Sequence, residues 1–179
     1  NVAINQIVDS GYTLCWAAKW YGEDQIYFNS LNQSSKREML QEVYELINEA
    51  DAVIGYNTKK FDLPNLNREF VLQGMEPPLP YKHIDLYQVV RSTFKFPSNK
   101  LDYVIQALDI GAKVEHKGMQ LWIDCMNGDG EAWKLMEEYN KGDVEPLEKL
   151  YERLLPWITS HPNHALYLDA NKPVCTNCG

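Results

Sequence analysis

Two stretches place carboxylates where they could do chemistry. The first is Asn57-Thr-Lys-Lys-Phe61-Asp62, which follows the apolar run Ala52-Val-Ile-Gly-Tyr56; the second is Tyr139-Asn-Lys-Gly-Asp143. In an open α/β sheet functional groups gather at the carboxyl ends of strands, and Asp62 falls just beyond such a run. An aspartate near a helix start is equally a capping or first-turn residue that favours the helix dipole. Tyr139 and Asp143 are four apart, so on a helix they share a face and could both point into one cleft. A third group, Cys175-Thr-Asn-Cys178-Gly179, has the Cys-x-x-Cys spacing of a metal knuckle.

These residues need elements to position them. Thr13–Tyr21 and Gln25–Asn29 flank Gly22-Glu-Asp24 and read as a β-hairpin. Ser34 or Ser35 can cap a helix whose Met39, Leu40, Val43, Leu46 and Ile47 recur at helical spacing. Ala52–Tyr56 is a short buried strand. Leu63-Pro64 suits the first turn of a helix that ends at Gly74. Pro77-Pro-Leu-Pro80 is an extended connector, and His83-Ile-Asp-Leu86 a short strand leading into a helix through Val89 and Val90. The pattern then predicts helices over 100–108, 131–139 and 144–158. Gly142 weakens a helix by about 1 kcal/mol, and Pro146 would clash with the carbonyl of Gly142. A helix is therefore expected either to kink there or to begin there. Hairpin, helix, strand, helix, strand and further helices make an α/β arrangement. After Thr159 the pattern stops, so residues 1–159 are expected to form the main domain and 160–179 a small tail.

The 179 residues suffice for one ordinary domain with a substantial core. At 45% hydrophobic and 23% charged the chain reads as globular, and no apolar stretch approaches the roughly 20 residues of a membrane span. No signal peptide is visible, and a start at Asn1 suggests a processed or partial chain. A net charge of −8 argues against indiscriminate nucleic-acid binding through a broad basic surface. The charge is uneven: six basic residues against four acidic between Lys82 and Lys117, then nine acidic against four basic from Met119 to Leu155. An acidic pocket neutralised by divalent cations and rimmed by lysines fits this, as does a solvated acidic surface. Cys15 and Cys125 lie in apolar contexts and read as buried thiols.

Together the two carboxylate stretches resemble the DEDD superfamily of 3'–5' exonucleases, which have the ribonuclease H-like fold. Asn57-x-x-x-Phe61-Asp62 is similar to the second motif of that family. Tyr139-x-x-x-Asp143 is similar to the third, in the tyrosine form seen in proofreading domains of family-B DNA polymerases; stand-alone phage-type exonucleases are the nearest likeness. The run Lys100-Leu-Asp-Tyr-Val-Ile-Gln-Ala-Leu-Asp-Ile-Gly, the following Lys113, and His83-Ile-Asp85-Leu match the intervening region, with Asp85 read as a structural acid. The resemblance runs from about Thr13 to Ile158.

It implies a mixed sheet flanked by helices and hydrolysis of phosphodiester bonds with two Mg²⁺ or Mn²⁺ ions about 3.5–4 Å apart. Hard ions of this kind take oxygen ligands, which Asp62 and Asp143 would supply. Tyr139 would orient the attacking water, since a phenol titrating at about 10 is a poor general base. Asn57 and Phe61 would line the strand channel, with Phe61 stacking on a terminal base. The implied partner is a single strand or 3' end, DNA in the first instance, in the cytoplasm of a bacterial or phage-infected cell.

The chain departs from the family at the first motif, because no Asp-x-Glu occurs between Asn1 and Asn29. The expectation is a domain lacking its first strand, inactive or nearly so as it stands. The alternative class is a catalytically degenerate nucleic-acid-binding module. Cys175 and Cys178 resemble one knuckle of a zinc ribbon whose partner pair would lie beyond Gly179. His161 and His164 could instead complete a Cys₂His₂ zinc set, or His161-Pro-Asn-His164 could simply end the last helix.

Overall fold

The computed structural model describes residues 11–111 and 118–161. The hairpin forms as β1 (Cys15–Lys19) and β2 (Ile26–Ser30), antiparallel with Cys15 opposite Ser30 and Lys19 opposite Ile26. Its turn closes with the Glu23 N–H donating to the Trp20 carbonyl at 3.2 Å, and Gly22 supplies the φ of +80° that the turn requires.

Ser35 is the cap of α1 (Lys36–Glu49). Its hydroxyl accepts from the Glu38 N–H while the Glu38 carboxylate accepts from the Ser35 N–H, a reciprocal capping box. The helix buries Met39, Leu40, Val43 and Ile47, the expected stripe apart from Leu46, which is half-buried.

β3 (Ala52–Gly55) leads through a tight turn into α2 (Asp62–Leu72), which stops at Gly74 with φ +65°. β4 (Lys82–Asp85) returns parallel to β3, pairing Ala52 with Lys82 and Gly55 with Asp85. The α2 crossover between parallel strands is what confirms an α/β organisation. Helices α3 (Leu86–Thr93), α4 (Leu101–Ala107), α5 (Met119–Met126) and α6 (Gly130–Leu154) follow, and one 3-10 turn closes the described region.

Two differences from the expectation carry physical lessons. Helix α5 has no counterpart in the sequence reading; it starts after Gly118 without any side-chain cap. The two helices expected over 131–139 and 144–158 are one 25-residue helix running through Gly142 and Pro146. Pro146 costs an interior helix about 3 kcal/mol. Packing at both ends offsets this: Ala132, Trp133 and Met136 are buried on the first half, and Leu150, Tyr151 and Leu154 on the second. Each large apolar side chain so buried contributes roughly 1.5–3 kcal/mol. The strand directions are mixed, as expected: among the described residues β1–β2 is antiparallel and β3–β4 parallel, in two two-stranded sheets.

Helices cover the hairpin on both faces. Trp16, Ala18 and Tyr27 pack with Met39, Leu40, Val43, Leu63 and Phe70 of α1 and α2. Leu14 and Cys15 pack instead with Leu121, Cys125, Trp133 and Met136 of α5 and α6. A third cluster joins Ile84, Val90, Val104 and Ile105 to Leu150, Tyr151 and Leu154. α6 thus spans two of the three clusters. The hairpin is also tied to it by polar contacts: Lys19 pairs with Glu148, and the Gly22 N–H donates to Glu148 Oε1 at 2.8 Å. Tyr21 meets Tyr151 edge-on at 5.5 Å.

The thiol reading holds in outline, with Cys125 buried and Cys15 half-buried, both free. The proposed tail, with His164, Cys175 and Cys178, lies outside the described residues. His161 is described: its ring stacks on Tyr151, whose hydroxyl is 2.6 Å from His161 Nε2.

Candidate active site

The turn from β3 to α2 is held by one buried acid. Asp85, at the end of β4 and 6% exposed, accepts from the Asn57 N–H at 2.7 Å and the Lys59 N–H at 3.1 Å. It also accepts from the Tyr87 N–H at 3.1 Å, so the same carboxylate caps α3. Asp85 is therefore a structural acid that fixes one strand end against the other. Asn57 sits at φ +63°, in the left-handed region that asparagine tolerates better than most side chains. Gly55 is required by closeness: a Cβ there would meet Thr58 Cγ2 at 2.1 Å and Oγ1 at 2.7 Å. Thr58 is in turn fixed by its hydroxyl, 2.8 Å from His83 Nε2. Burial depresses the His83 pKa, with Lys59 adding in the same sense and Asp85 opposing.

The turn delivers Asp62 to the first position of α2, next to an exposed Phe61. Asp62 is exposed as a residue, while neighbouring atoms partly desolvate its carboxyl. That desolvation, reinforced by the negative charge of Asp85, raises its pKa. Asp62 is not the N-cap, which is Phe61 without a side-chain cap, but it is the first-turn acid of α2, as the helix-dipole alternative expected.

Tyr139 and Asp143 both lie on α6, one turn apart, and both are half-buried. The Tyr139 ring meets Trp122 of α5 edge-on at 6.0 Å. Between them in sequence, Asn140 donates to the Met136 carbonyl at 2.8 Å and hydrogen-bonds the Cys15 side chain. Burial, with Cys125 nearby, pushes the Cys15 thiol up to about 12, so it is inert as a nucleophile.

Asp62, Phe61, Tyr139 and Asp143 all line a single cavity of about 990 Å³. Four of the five expected residues from the two stretches thus border the same large cavity. Asn57 is not on the lining; its neighbour Thr58 is. Sequence reading missed Thr58, His83, Trp122 and Asn140 because their roles come from contacts between distant segments. Only the turn-forming Gly55 and Asn57 hinted at the tight geometry around Thr58.

A partly desolvated carboxylate sharing a cavity with a second one favours a cation nearby. Two carboxylates could at most supply part of one hard-ion shell and do not fit a pair of ions, each of which needs several oxygen ligands. Among the described residues no group of three or more His, Cys, Asp or Glu side chains could hold a metal. Asp85 does not help, since its oxygens already accept three backbone N–H groups. No helix of the described residues is long and apolar enough to cross a membrane.

Residues 11–155 match RNase_H_2, described as the RNase_H superfamily. The chain belongs to that superfamily. Among curated proteins it is similar to a DNA polymerase of Pyrococcus glycovorans, 28% identical over 145 residues, which is 66% of this chain and 18% of the polymerase. Among solved structures it is similar to the family B DNA polymerase of the hyperthermophilic archaeon Pyrobaculum calidifontis. That match has a TM-score of 0.61 and 19% identity, and covers 74% of this chain and 20% of the polymerase. The chain therefore spans about a fifth of the length of the polymerases it matches, and the second likeness concerns the fold alone.

Proposed function

We propose that this chain is the body of a divalent-metal-dependent 3'–5' exonuclease acting on single-stranded DNA ends. The observation that supports the reading is that Asp62, Tyr139 and Asp143 line one cavity. A superfamily built for phosphodiester chemistry and similarity to a DNA polymerase support it.

In this reading Asp62 and Asp143 supply carboxylate oxygens to Mg²⁺ or Mn²⁺, which when bound would polarise the scissile phosphate. Tyr139, steadied by Trp122, holds the attacking water by a hydrogen bond from or to its hydroxyl. Phe61, 64% exposed beside Asp62, stacks on the terminal base. Asn57 acts at one remove, its backbone conformation setting where Phe61 and Asp62 lie. In this reading Cys175 and Cys178, which lie outside the described residues, would supply two of the four ligands of a zinc ion.

Because this reading assigns only Asp62 and Asp143 to the metal and no Asp-x-Glu occurs between Asn1 and Asn29, little or no turnover is expected, and the test is one of affinity. Fluorescence anisotropy would follow a 5'-labelled single strand, titrated with and without Mn²⁺. Expected are binding tightened at least fivefold by Mn²⁺ and loss of that gain in Asp62→Asn. The incomplete carboxylate set favours a second reading, a nucleic-acid-binding module that no longer cleaves. Salt-dependent binding indifferent to Mn²⁺ would select it. No affinity for either strand or ion would overturn both.

A further inference from the structure

We propose a binding platform for single-stranded nucleic acid outside the cavity that holds Asp62, built from four aromatic rings and the basic residues beside them. It is read from its own residues and does not depend on the nuclease reading.

The rings form a continuous row. Trp157 meets Phe94 at 5.2 Å between centroids, Phe94 meets Phe96 at 5.7 Å, and Phe96 meets Tyr103 at 6.4 Å. None of the four lines the cavity. The inner pair, Phe94 and Phe96, is half-buried against the third core cluster. The two ends are open to water: Trp157 is 54% exposed and Tyr103 37%. Tryptophan is highly buried on average, so an open ring in an apolar row is the kind of surface that meets a ligand.

Trp157 is also held in place. It ends the 3-10 turn Leu155–Trp157, in which Pro156 has a fixed φ and the Leu155 carbonyl accepts from the Ile158 N–H at 3.2 Å. Ile158 is buried in the third cluster and pins the far side of the turn. A ring fixed in this way loses little freedom when a flat partner stacks on it.

Charge decides what the flat partner carries. The chain as a whole is at −8, yet from Leu86 to Tyr103 the basic residues Arg91, Lys95 and Lys100 stand against a single acid, Asp102. All three cations are exposed, whereas Asp102 is half-buried. Among the described residues none of the three is in an ion pair. Phe94 leaves α3 with extended backbone, so Lys95 turns to solvent while Phe94 and Phe96 turn to the core, as their burial shows. Open rings beside uncommitted cations suit flat bases on an anionic backbone. A duplex keeps its base faces stacked within, and an acidic peptide has no base to lay on Trp157.

The test uses the whole chain in EDTA, so that metal-assisted binding in the cavity is absent. The probe is a 5'-labelled twelve-nucleotide oligo(dT), followed by fluorescence anisotropy and by intrinsic tryptophan emission. Expected are saturable binding, at least fivefold weakening in Trp157→Ala, and affinity within threefold of the parent in Trp157→Phe. The quench of tryptophan emission on binding should be lost in Trp157→Phe. Arg91→Ala and Lys95→Ala should each flatten the slope of log affinity against log salt by about 0.7. Asp62→Asn should bind like the parent in EDTA. Absence of any Mn²⁺ gain would thus sink the nuclease reading and leave the platform standing. Weakening in Asp62→Asn would place the strand in the cavity and overturn the inference. So would no metal-free binding, unchanged affinity in Trp157→Ala, or unchanged salt slopes. Duplex binding as tight as the single strand, or equal displacement by poly-glutamate, would show charge without stacking and overturn it as well.

Discussion

Replacing Asp85 should loosen the candidate site before anything else does. Its carboxylate accepts from the N–H groups of Asn57, Lys59 and Tyr87 and is 6% exposed. A hydrogen bond to a charged acceptor contributes about 1.5–3 kcal/mol, and donors stranded away from water add to the loss. Lys59 is exposed, so its N–H recovers water; Asn57 and Tyr87 are half-buried and recover less. Asp85→Ala should therefore cost about 3–5 kcal/mol, a large share of the 5–15 kcal/mol typical of a domain. Asp85→Asn keeps one oxygen and turns an amide N–H₂ toward one of the former donors, for a smaller loss of about 1.5–3 kcal/mol. Urea denaturation at pH 7 measures both. A cost below about 1 kcal/mol for Asp85→Ala would refute the argument that this acid holds the two strand ends together. The same variants carry an electrostatic signature. Asp85 helps to raise the Asp62 pKa, so removing its charge should lower the pKa of Asp62 in a carboxyl NMR titration. A rise in Asp85→Asn, with the fold intact, would mean that the two carboxylates are not in the arrangement described.

Gly55→Ala places a Cβ 2.1 Å from Thr58 Cγ2 and should cost about 1–3 kcal/mol or more. Adding Thr58→Ala, which leaves the former Thr58 Cβ at 3.0 Å as the nearest atom, should restore over half of that in thermal denaturation; no restoration would place the strain elsewhere. At Glu148 the hydrogen bond from Lys19, with that from the Gly22 N–H, depresses the carboxyl pKa below 4.5. A depressed acid stabilises the fold above its unfolded pKa, and that contribution is lost as pH falls through the folded value. Glu148→Gln should thus cost about 1 kcal/mol at pH 7, little at pH 3, and flatten the stability profile below pH 4.5. An unchanged profile would show that the pair contributes nothing.

The elements that were legible in sequence carried their own local signals. Ser35 and Glu38 announced the start of α1, Gly22 the hairpin turn, and Pro64 and Gly74 the two ends of α2. Helix α5 carried no cap, and its Leu-Trp-Ile core is ambiguous between helix and strand. The continuity of α6 ran against local propensity at Gly142 and Pro146, and was decided by clusters drawn from far along the chain. The site divides in the same way. Asp62, Tyr139 and Asp143 were legible because spacing and residue type are written locally. The bond from Thr58 to His83, the Trp122 contact and the Asn140 bridge to Cys15 were not, since each joins segments that only the folded chain brings near.

The tie between the hairpin and α6 has a kinetic consequence. Lys19 and Glu148 are 129 residues apart, and β1 and α6 also share an apolar cluster, so the chain must close a very long loop before these contacts form. Contacts of such separation slow folding, because loop entropy is lost before any contact compensates for it. Synthesised from its N-terminus, the chain presents Asp62 well before Asp143 exists. The cavity that unites them is complete only when α6 docks. Assembly of the site is thus set as a late event, reporting on the finished fold and on nothing earlier.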